Sequence, residues 1–417
     1  MAIVKPFKGL RPPAGIAHKL ACLPYDVMNT AEARKMAEGI EYSLLRITRS
    51  EIDLPEGTDD HSKEVYDKSV ENFKMFVQNG WLVKDDSARF YIYAQTMNGR
   101  TQYGLVGAAA CADYANGIIK KHELTRPDKE DDRMIHININ NANIEPVFFS
   151  YRAVPEIDSI VDTIVKNNVP DYDFTAEDGF GHHFWVINNA ETNNQIEHLF
   201  ATKVPFTYVA DGHHRTAAAA RVGLERQQKN ANHTGNEEYN FFLAVHFPDN
   251  QLQIIDYNRV VKDLNNLSET DFIEKLKSGF EVELKGSEIY KPSKLHELSM
   301  YLSGNWYKLT AKLGTYNDND PIEVLDVTIL TNQILNPVLD IQDLRTSKRI
   351  DFVGGIRGLG ELKKRVDNGI ARVAFALYPV SMKQLLDIAD TGNIMPPKTT
   401  WFEPKLRSGL VIHELND

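Results

Sequence analysis

The pentapeptide Asp211-Gly212-His213-His214-Arg215 gathers an acid, two imidazoles and a guanidinium around a single glycine. It follows a short apolar run, 204–209, and opens an alanine-rich stretch, 217–220, that favours helix. A strand that ends in Asp-Gly and runs straight into a helix presents unpaired backbone N–H groups at the positive end of the helix dipole. Such a place suits an anion, a phosphate above all. Arg215, in the first turn, adds a planar and permanently charged fork for phosphate oxygens. Asp211 is placed to hold a divalent cation beside them. The combination points to phosphoryl or nucleotide chemistry. The competing reading is local: the aspartate caps the helix, and the histidines and arginine satisfy nearby carbonyls.

Other stretches carry weaker signals. Lys120-Lys121-His122-Glu123-Leu124-Thr125-Arg126-Pro127, with Asp131, Asp132 and Arg133 downstream, sets a glutamate among lysines and a histidine. Such a glutamate can act as general base on a substrate hydroxyl; read alone, the run is a solvated charged face. In Met395-Pro396-Pro397-Lys398-Thr399-Thr400-Trp401-Phe402 two prolines stiffen the chain before a lysine and two hydroxyls, which suits either a phosphate clamp or a purely structural loop. The glycine-rich run over 354–360 lacks the Gly-Lys-Ser/Thr ending of a phosphate-binding loop and reads as a strand-to-helix turn. His182 and His183 adjoin on a predicted strand and point to opposite faces, and no zinc pattern accompanies them. Pro24-Tyr25-Asp26 is a turn or a pocket lining.

The elements that must position these residues are mixed. Helices are expected over 31–38, with Asn29 or Thr30 as N-cap, and over 62–79, ending before Gly80. Strands are expected over 90–96 and 103–112, across a hairpin containing Asn98-Gly99. Segment 118–133 is polar and charged and carries no expected element. Strand, helix and strand follow at 146–151, 157–166 and 183–187, then a helix over 190–201 leads to the strand before Asp211. Strands at 239–247 and 251–261 follow the motif, and 268–340 alternates helix and strand. The end reads as strand 371–378, helix 382–391, the proline loop and a strand 409–414. The fold class is α+β, with mixed, largely antiparallel sheets and helices, rather than a regular βαβ series. Three segments are expected: 1–115, 116–265 and 266–417.

Bulk properties narrow the function classes. With 417 residues, 42% hydrophobic and 25% charged, the chain has ample core for more than one lobe. Forty-seven basic against 58 acidic residues leave a net charge of −11, which disfavours non-specific binding to nucleic acid or anionic lipid. No stretch approaches a membrane span, the N-terminus lacks a secretion signal's apolar core, and two distant cysteines, Cys22 and Cys111, make no disulfide framework. A cytoplasmic location and small-molecule partners are expected; the oligomeric state is not readable.

At 208–215 the sequence resembles the ParB/sulfiredoxin-like superfamily. The sulfiredoxin branch places a cysteine where His213 stands, and the ParB branch carries basic surfaces that this composition lacks. The free serine kinase branch is most similar: it has Asp-Gly-His-His-Arg as written here, an upstream His-Glu pair matched by His122-Glu123, and a terminal strand, helix and Pro-Lys-Thr-Thr loop. The whole chain also resembles a bacterial domain-of-unknown-function family, through Leu23-Pro24-Tyr25-Asp26-Val27 and the ending over 396–410. The resemblance implies a ParB/sulfiredoxin-like core with an N-terminal extension and insertions. It implies ATP or ADP and Mg²⁺ as cofactors, with free L-serine as acceptor and O-phosphoserine as product. Glu123 would be the base, Asp211 the magnesium ligand, and Gly212, His213, His214 and Arg215 the phosphate ligands. Lys398, Thr399 and Thr400 would close over the phosphate. The alternatives are a ParB-like nucleotide-binding switch without turnover, and a phosphotransferase or hydrolase acting on another acceptor.

Overall fold

Contacts in the computed structural model, which describes residues 1–416, divide the chain into two compact units. The first comprises Met1–Leu252 and the C-terminal segment from Pro404; the second is Gln253–Glu403.

A nine-stranded sheet organises the first unit. In chain order its strands are β1 (Val4–Lys5), β2 (Tyr91–Met97), β3 (Arg100–Ala110), β4 (Ile119–Lys120), β5 (Val147–Tyr151), β6 (Tyr172–Thr175), β7 (Gly181–Val186), β8 (Thr207–Asp211) and β9 (Phe241–Pro248). Their spatial order is β4-β8-β5-β9-β3-β2-β7-β6, with β1 on β3. The β2–β3 hairpin turns at Asn98 and Gly99, whose φ values of 52° and 76° are what a two-residue primed turn demands. Most pairs are antiparallel, but β4 runs parallel to β8, with Ile119 opposite Thr207 and Lys120 opposite Tyr208. That pairing governs the site, because both chains leave the sheet at the same end.

Five long helices accompany the sheet: α1 (Lys63–Gln78), α2 (Pro127–Asn140), α3 (Pro155–Asn167), α4 (Ala190–Lys203) and α5 (His213–Lys229). Ser62 caps α1, and Asn29 forms a capping box with Glu32 at the shorter helix Thr30–Met36. Ile157 and Val161 of α3 join Ile196, Leu199 and Phe200 of α4 in one apolar cluster with Ile92 and Leu105. Ala219 and Ala220 of α5 enter another with Val209, Phe149 and Phe242. Small residues let α5 approach closely: a Cβ on Gly223 would lie 2.5 Å from the Cys111 sulfur and 2.6 Å from the Tyr239 carbonyl oxygen. Both cysteines are free and buried.

The second unit is built on a six-stranded antiparallel sheet. Its strands are β10 (Tyr257–Val261), β11 (Phe280–Gly286), β12 (Glu297–Leu302), β13 (Asn305–Ala311), β14 (Ile350–Gly354) and β15 (Val373–Ala376), in the order β11-β13-β12-β15-β10-β14. Leu359, Leu362 and Val366 of the helix Leu359–Asp367 pack with Val260, Tyr301 and Trp306.

The architecture is mixed α+β with largely antiparallel sheets. Three local expectations change. Segment 118–133, left without an element, supplies β4 and the first half of α2; Pro127 sits in the first helical turn, where its missing N–H costs nothing. The expected strand 251–261 is broken into Ile254–Ile255 and Tyr257–Val261. The expected strand 409–414 shrinks to His413–Glu414 because Gly409 turns the chain at φ 94°. No helix among the described residues is long and apolar enough to cross a membrane.

Candidate functional site

The parallel β4–β8 pair brings two distant sequence motifs together. Past Lys120, the chain continues as Lys121-His122-Glu123; past Asp211, it turns through Gly212 into α5. A bulge between Val209 and Asp211, opposite Phe149 and Phe148, re-aims the last residue of β8. Gly212 caps α5 at φ 90°, a conformation that L side chains resist, and its N–H donates to Asp211 Oδ1 at 2.8 Å. A Cβ at Gly212 would sit 3.2 Å from an Arg215 nitrogen, so the glycine also lets the guanidinium fold back across the turn.

Charge is dense here. Arg215 is buried and donates to the Pro146 carbonyl at 2.5 Å. Burial works against its charge, yet Asp26, Glu145 and Asp211 outweigh burial and raise its pKa. Asp211 Oδ2 accepts from Lys405 at 3.0 Å. Burial would raise its pKa, but Lys405 and Arg215 prevail and hold the carboxyl well below the usual range.

The histidines divide their roles. The rings of His122 and His213 meet edge-to-face with centroids 4.5 Å apart. Burial brings His122 from the ordinary 6.5 down to about 4. His213 is held well below its ordinary value by burial and then by His122. Both are therefore neutral near pH 7. His213 Nε2 is buried without a hydrogen-bond partner among the described residues, and its Nδ1 lies 3.9 Å from a carboxylate oxygen of the partly exposed Glu123. His214 turns to the neighbouring loop, where its Nε2 accepts the Arg126 amide at 3.1 Å.

Several participants received no contact or partner from the sequence reading. Arg133, on α2, stacks on the Tyr25 ring with 3.7 Å from its Cζ to the centroid. Its Nη1 lies 3.5 Å from Glu145, whose other oxygen accepts the Tyr25 amide at 3.1 Å. Burial pushes the Tyr25 hydroxyl up to about 12. Arg133, Glu145 and Arg215 line an interior cavity of about 40 Å³, on the scale of one or two water molecules. Arg407 reaches His182 Nε2 at 3.2 Å, and Lys405 and Arg407 thereby tie the C-terminal segment to the sheet. Lys405 and the Tyr25-Asp26 turn fall within the stretches that carried the family resemblance; Arg133 was read only as part of a charged run, and for Glu145 no sequence signal was available.

Lys398, Thr399 and Thr400 lie in the second unit and are described there. Lys398 takes φ 57°, and Thr399 Oγ1 donates to the Pro396 carbonyl at 2.6 Å. Arg259, fully buried on β10, donates to the Lys398 carbonyl at 2.9 Å. Burial brings its guanidinium down to about 9. His182 and His183 diverge as expected of strand neighbours: His182 meets Tyr93 and Arg407, His183 meets Asp173. No group of three or more His, Cys, Asp or Glu side chains suited to a metal occurs among the described residues.

Residues 4–328 match the family described as "Protein of unknown function (DUF1015)", and the chain belongs to that family. No curated protein matches it. Among solved structures it is similar to a free serine kinase variant in complex with ADP, at 12% identity and TM-score 0.35, covering 75% of this chain and 93% of that one. It is similar to SbnI with a C-terminal truncation from Staphylococcus aureus, at 11% identity and TM-score 0.38, covering 73% and 87%. A conserved hypothetical protein from Pyrococcus furiosus gives 14% identity and TM-score 0.32, covering 70% and 92%.

Proposed function

We propose that this family member is a small-metabolite kinase, transferring a phosphoryl group from ATP or ADP to a hydroxyl, with free L-serine the acceptor and O-phosphoserine the product. A ParB/sulfiredoxin-like core is the fold assignment that goes with this reading. One observation carries it: the parallel β4–β8 pair sets Glu123 3.9 Å from His213, at the N-terminus of the seventeen-residue helix that also bears Arg215. A residue fit to accept a proton thus stands beside a seat fit for an anion.

Glu123 takes the proton of the acceptor hydroxyl as that oxygen bonds to the transferred phosphorus, while the bond from phosphorus to the nucleotide oxygen breaks. The first amides of α5 and the Arg215 guanidinium hold the phosphoryl oxygens in line. Neutral His213 offers a hydrogen bond without adding a proton that could be lost to the leaving group. His214 keeps the Glu123 loop in place through the Arg126 amide. Lys398, Thr399 and Thr400 are assigned to the phosphate or the product.

Asp211 suits Mg²⁺ as a lone carboxylate. It stays ionised, with Gly212 and Lys405 each on one of its oxygens, and would hold the ion beside the phosphates. The bound ion would supply charge neutralisation on the phosphates.

A panel of hydroxylated acceptors with ATP or ADP tests the reading. The expected outcome is stoichiometric nucleotide consumption with serine. Nucleotide-dependent stabilisation with no acceptor consumed would contradict a kinase and favour a switch.

A further inference from the structure

The turn of Tyr25–Val27 is short, yet it is clamped from every side. Glu145 accepts its Tyr25 amide at 3.1 Å, Arg49 donates to its Tyr25 carbonyl at 3.3 Å, and Arg133 lies on its ring at 3.7 Å. Arg49 is in turn paired with Glu51 at 2.7 Å. Glu145 adjoins Pro146, whose carbonyl takes Arg215, so one dipeptide fastens both the turn and the guanidinium. So many largely buried charges are excessive for holding an ordinary surface turn.

What the clamp presents is Asp26. The bonds that fix the turn use the backbone and ring of Tyr25; none uses the Asp26 carboxylate, which is exposed. Its charge nonetheless leads the favourable ones acting on Arg215. The other carboxylates beside Arg215 are engaged: Asp211 with Lys405 and Gly212, Glu145 with Arg133 and Tyr25.

We propose that Asp26 is the specificity residue that receives the acceptor's ammonium group, so that the site selects a zwitterionic α-amino acid over a plain hydroxy acid. This rests on the kinase reading above and deepens it. An amino acid brings a carboxylate that the surrounding guanidinium and ammonium groups can meet, and an ammonium that needs an anion held rigidly and not already paired. Asp26 stands on a turn whose Tyr25 backbone is fixed, and none of the bonds that fix it uses the Asp26 carboxylate.

The test uses the full chain with saturating nucleotide and Mg²⁺, and compares L-serine with glycerate, in which a hydroxyl replaces the ammonium. In the native protein serine should be much the better acceptor. Asp26→Asn should raise the KM for serine by about ten- to a hundredfold, with a far smaller fall in kcat, as expected for a lost charge-assisted hydrogen bond. Its KM for glycerate should not rise, and Asp26→Glu should recover part of the loss. An unchanged serine KM in Asp26→Asn, or equal use of serine and glycerate by the native protein, overturns the assignment. A native protein that phosphorylates no acceptor overturns the kinase reading and this inference together, so the two failures are distinct.

Discussion

Around Asp211–Arg215, in the first unit, the chain is held by acidic and basic side chains: Lys405 on Asp211, and Asp26, Glu145 and Asp211 acting on Arg215. Around Pro396–Thr400, in the second, the named bonds run to the backbone. Thr399 folds back on the Pro396 carbonyl, and Arg259 spends its guanidinium on the carbonyls of Lys398 and Tyr257. Both stretches combine cationic and small polar residues, yet the first leaves a buried imidazole nitrogen unpartnered, while the Thr399 hydroxyl is used internally. Both stretches carry residue types suited to an anion, and they differ in what their polar atoms already hold.

The largest effect should come from Arg215→Ala. It removes a charge-assisted contact from a dry site, about 2–4 kcal/mol of transition-state stabilisation, or roughly 30- to 1000-fold in kcat/KM. Glu123→Gln should fall within the same range, read in the same assay. If either variant kept native turnover, the contrast between the two stretches would have no catalytic meaning.

Acid should separate the units next. His122 drops from the ordinary 6.5 to about 4 on burial, so the unfolded chain binds more protons in that window. Its contribution to stability is complete above pH 6.5 and is lost as the pH falls toward 4, on the order of 3 kcal/mol. In the second unit Asp326 behaves oppositely: burial lifts it from 3.8 to about 7, so its folded form gains stability as the pH falls through 7. Hydrogen exchange, corrected for intrinsic rates, should show β4 and β8 loosening at pH 5 while the helix starting at Asp326 does not. Parallel loosening of both would break the contrast, and His122→Asn should flatten the first response.

Smaller effects probe the second unit alone. Arg259→Met strands the carbonyls of Tyr257 and Lys398 and should lower stability by about 1–3 kcal/mol in denaturant unfolding. Thr399→Val removes one internal bond and should lower it by about 1 kcal/mol. The proposed phosphate contact further requires Thr399→Val to lose turnover beyond what that stability change explains; native turnover would remove the hydroxyl from the site.

The turn into α5 was readable because its signals are local: an apolar strand, Asp-Gly, then alanines. So were the cap at Asn29 and the hairpin at Asn98-Gly99. Helix α2 was not. Its buried residues are Asp132, Arg133, Met134 and Asn140, so an apolar periodicity hardly exists to be found. The parallel register that sets Lys120 beside Tyr208, and the approach of Lys405 to Asp211, are tertiary facts linking residues far apart in the chain. Half of the candidate site, its His-Glu and Asp-Gly-His-His-Arg parts, was therefore visible as motifs, while the contacts that join Tyr25, Arg133 and Glu145 emerged only with the fold.

The central claim, phosphoryl transfer to a free hydroxyl at the Glu123–Arg215 site, is tested most directly by phosphorus NMR of the protein with Mg²⁺, ATP or ADP, and L-serine. A growing phosphomonoester resonance matching O-phosphoserine, absent with Arg215→Ala, is the predicted result. Nucleotide that binds but yields no phosphomonoester would contradict it.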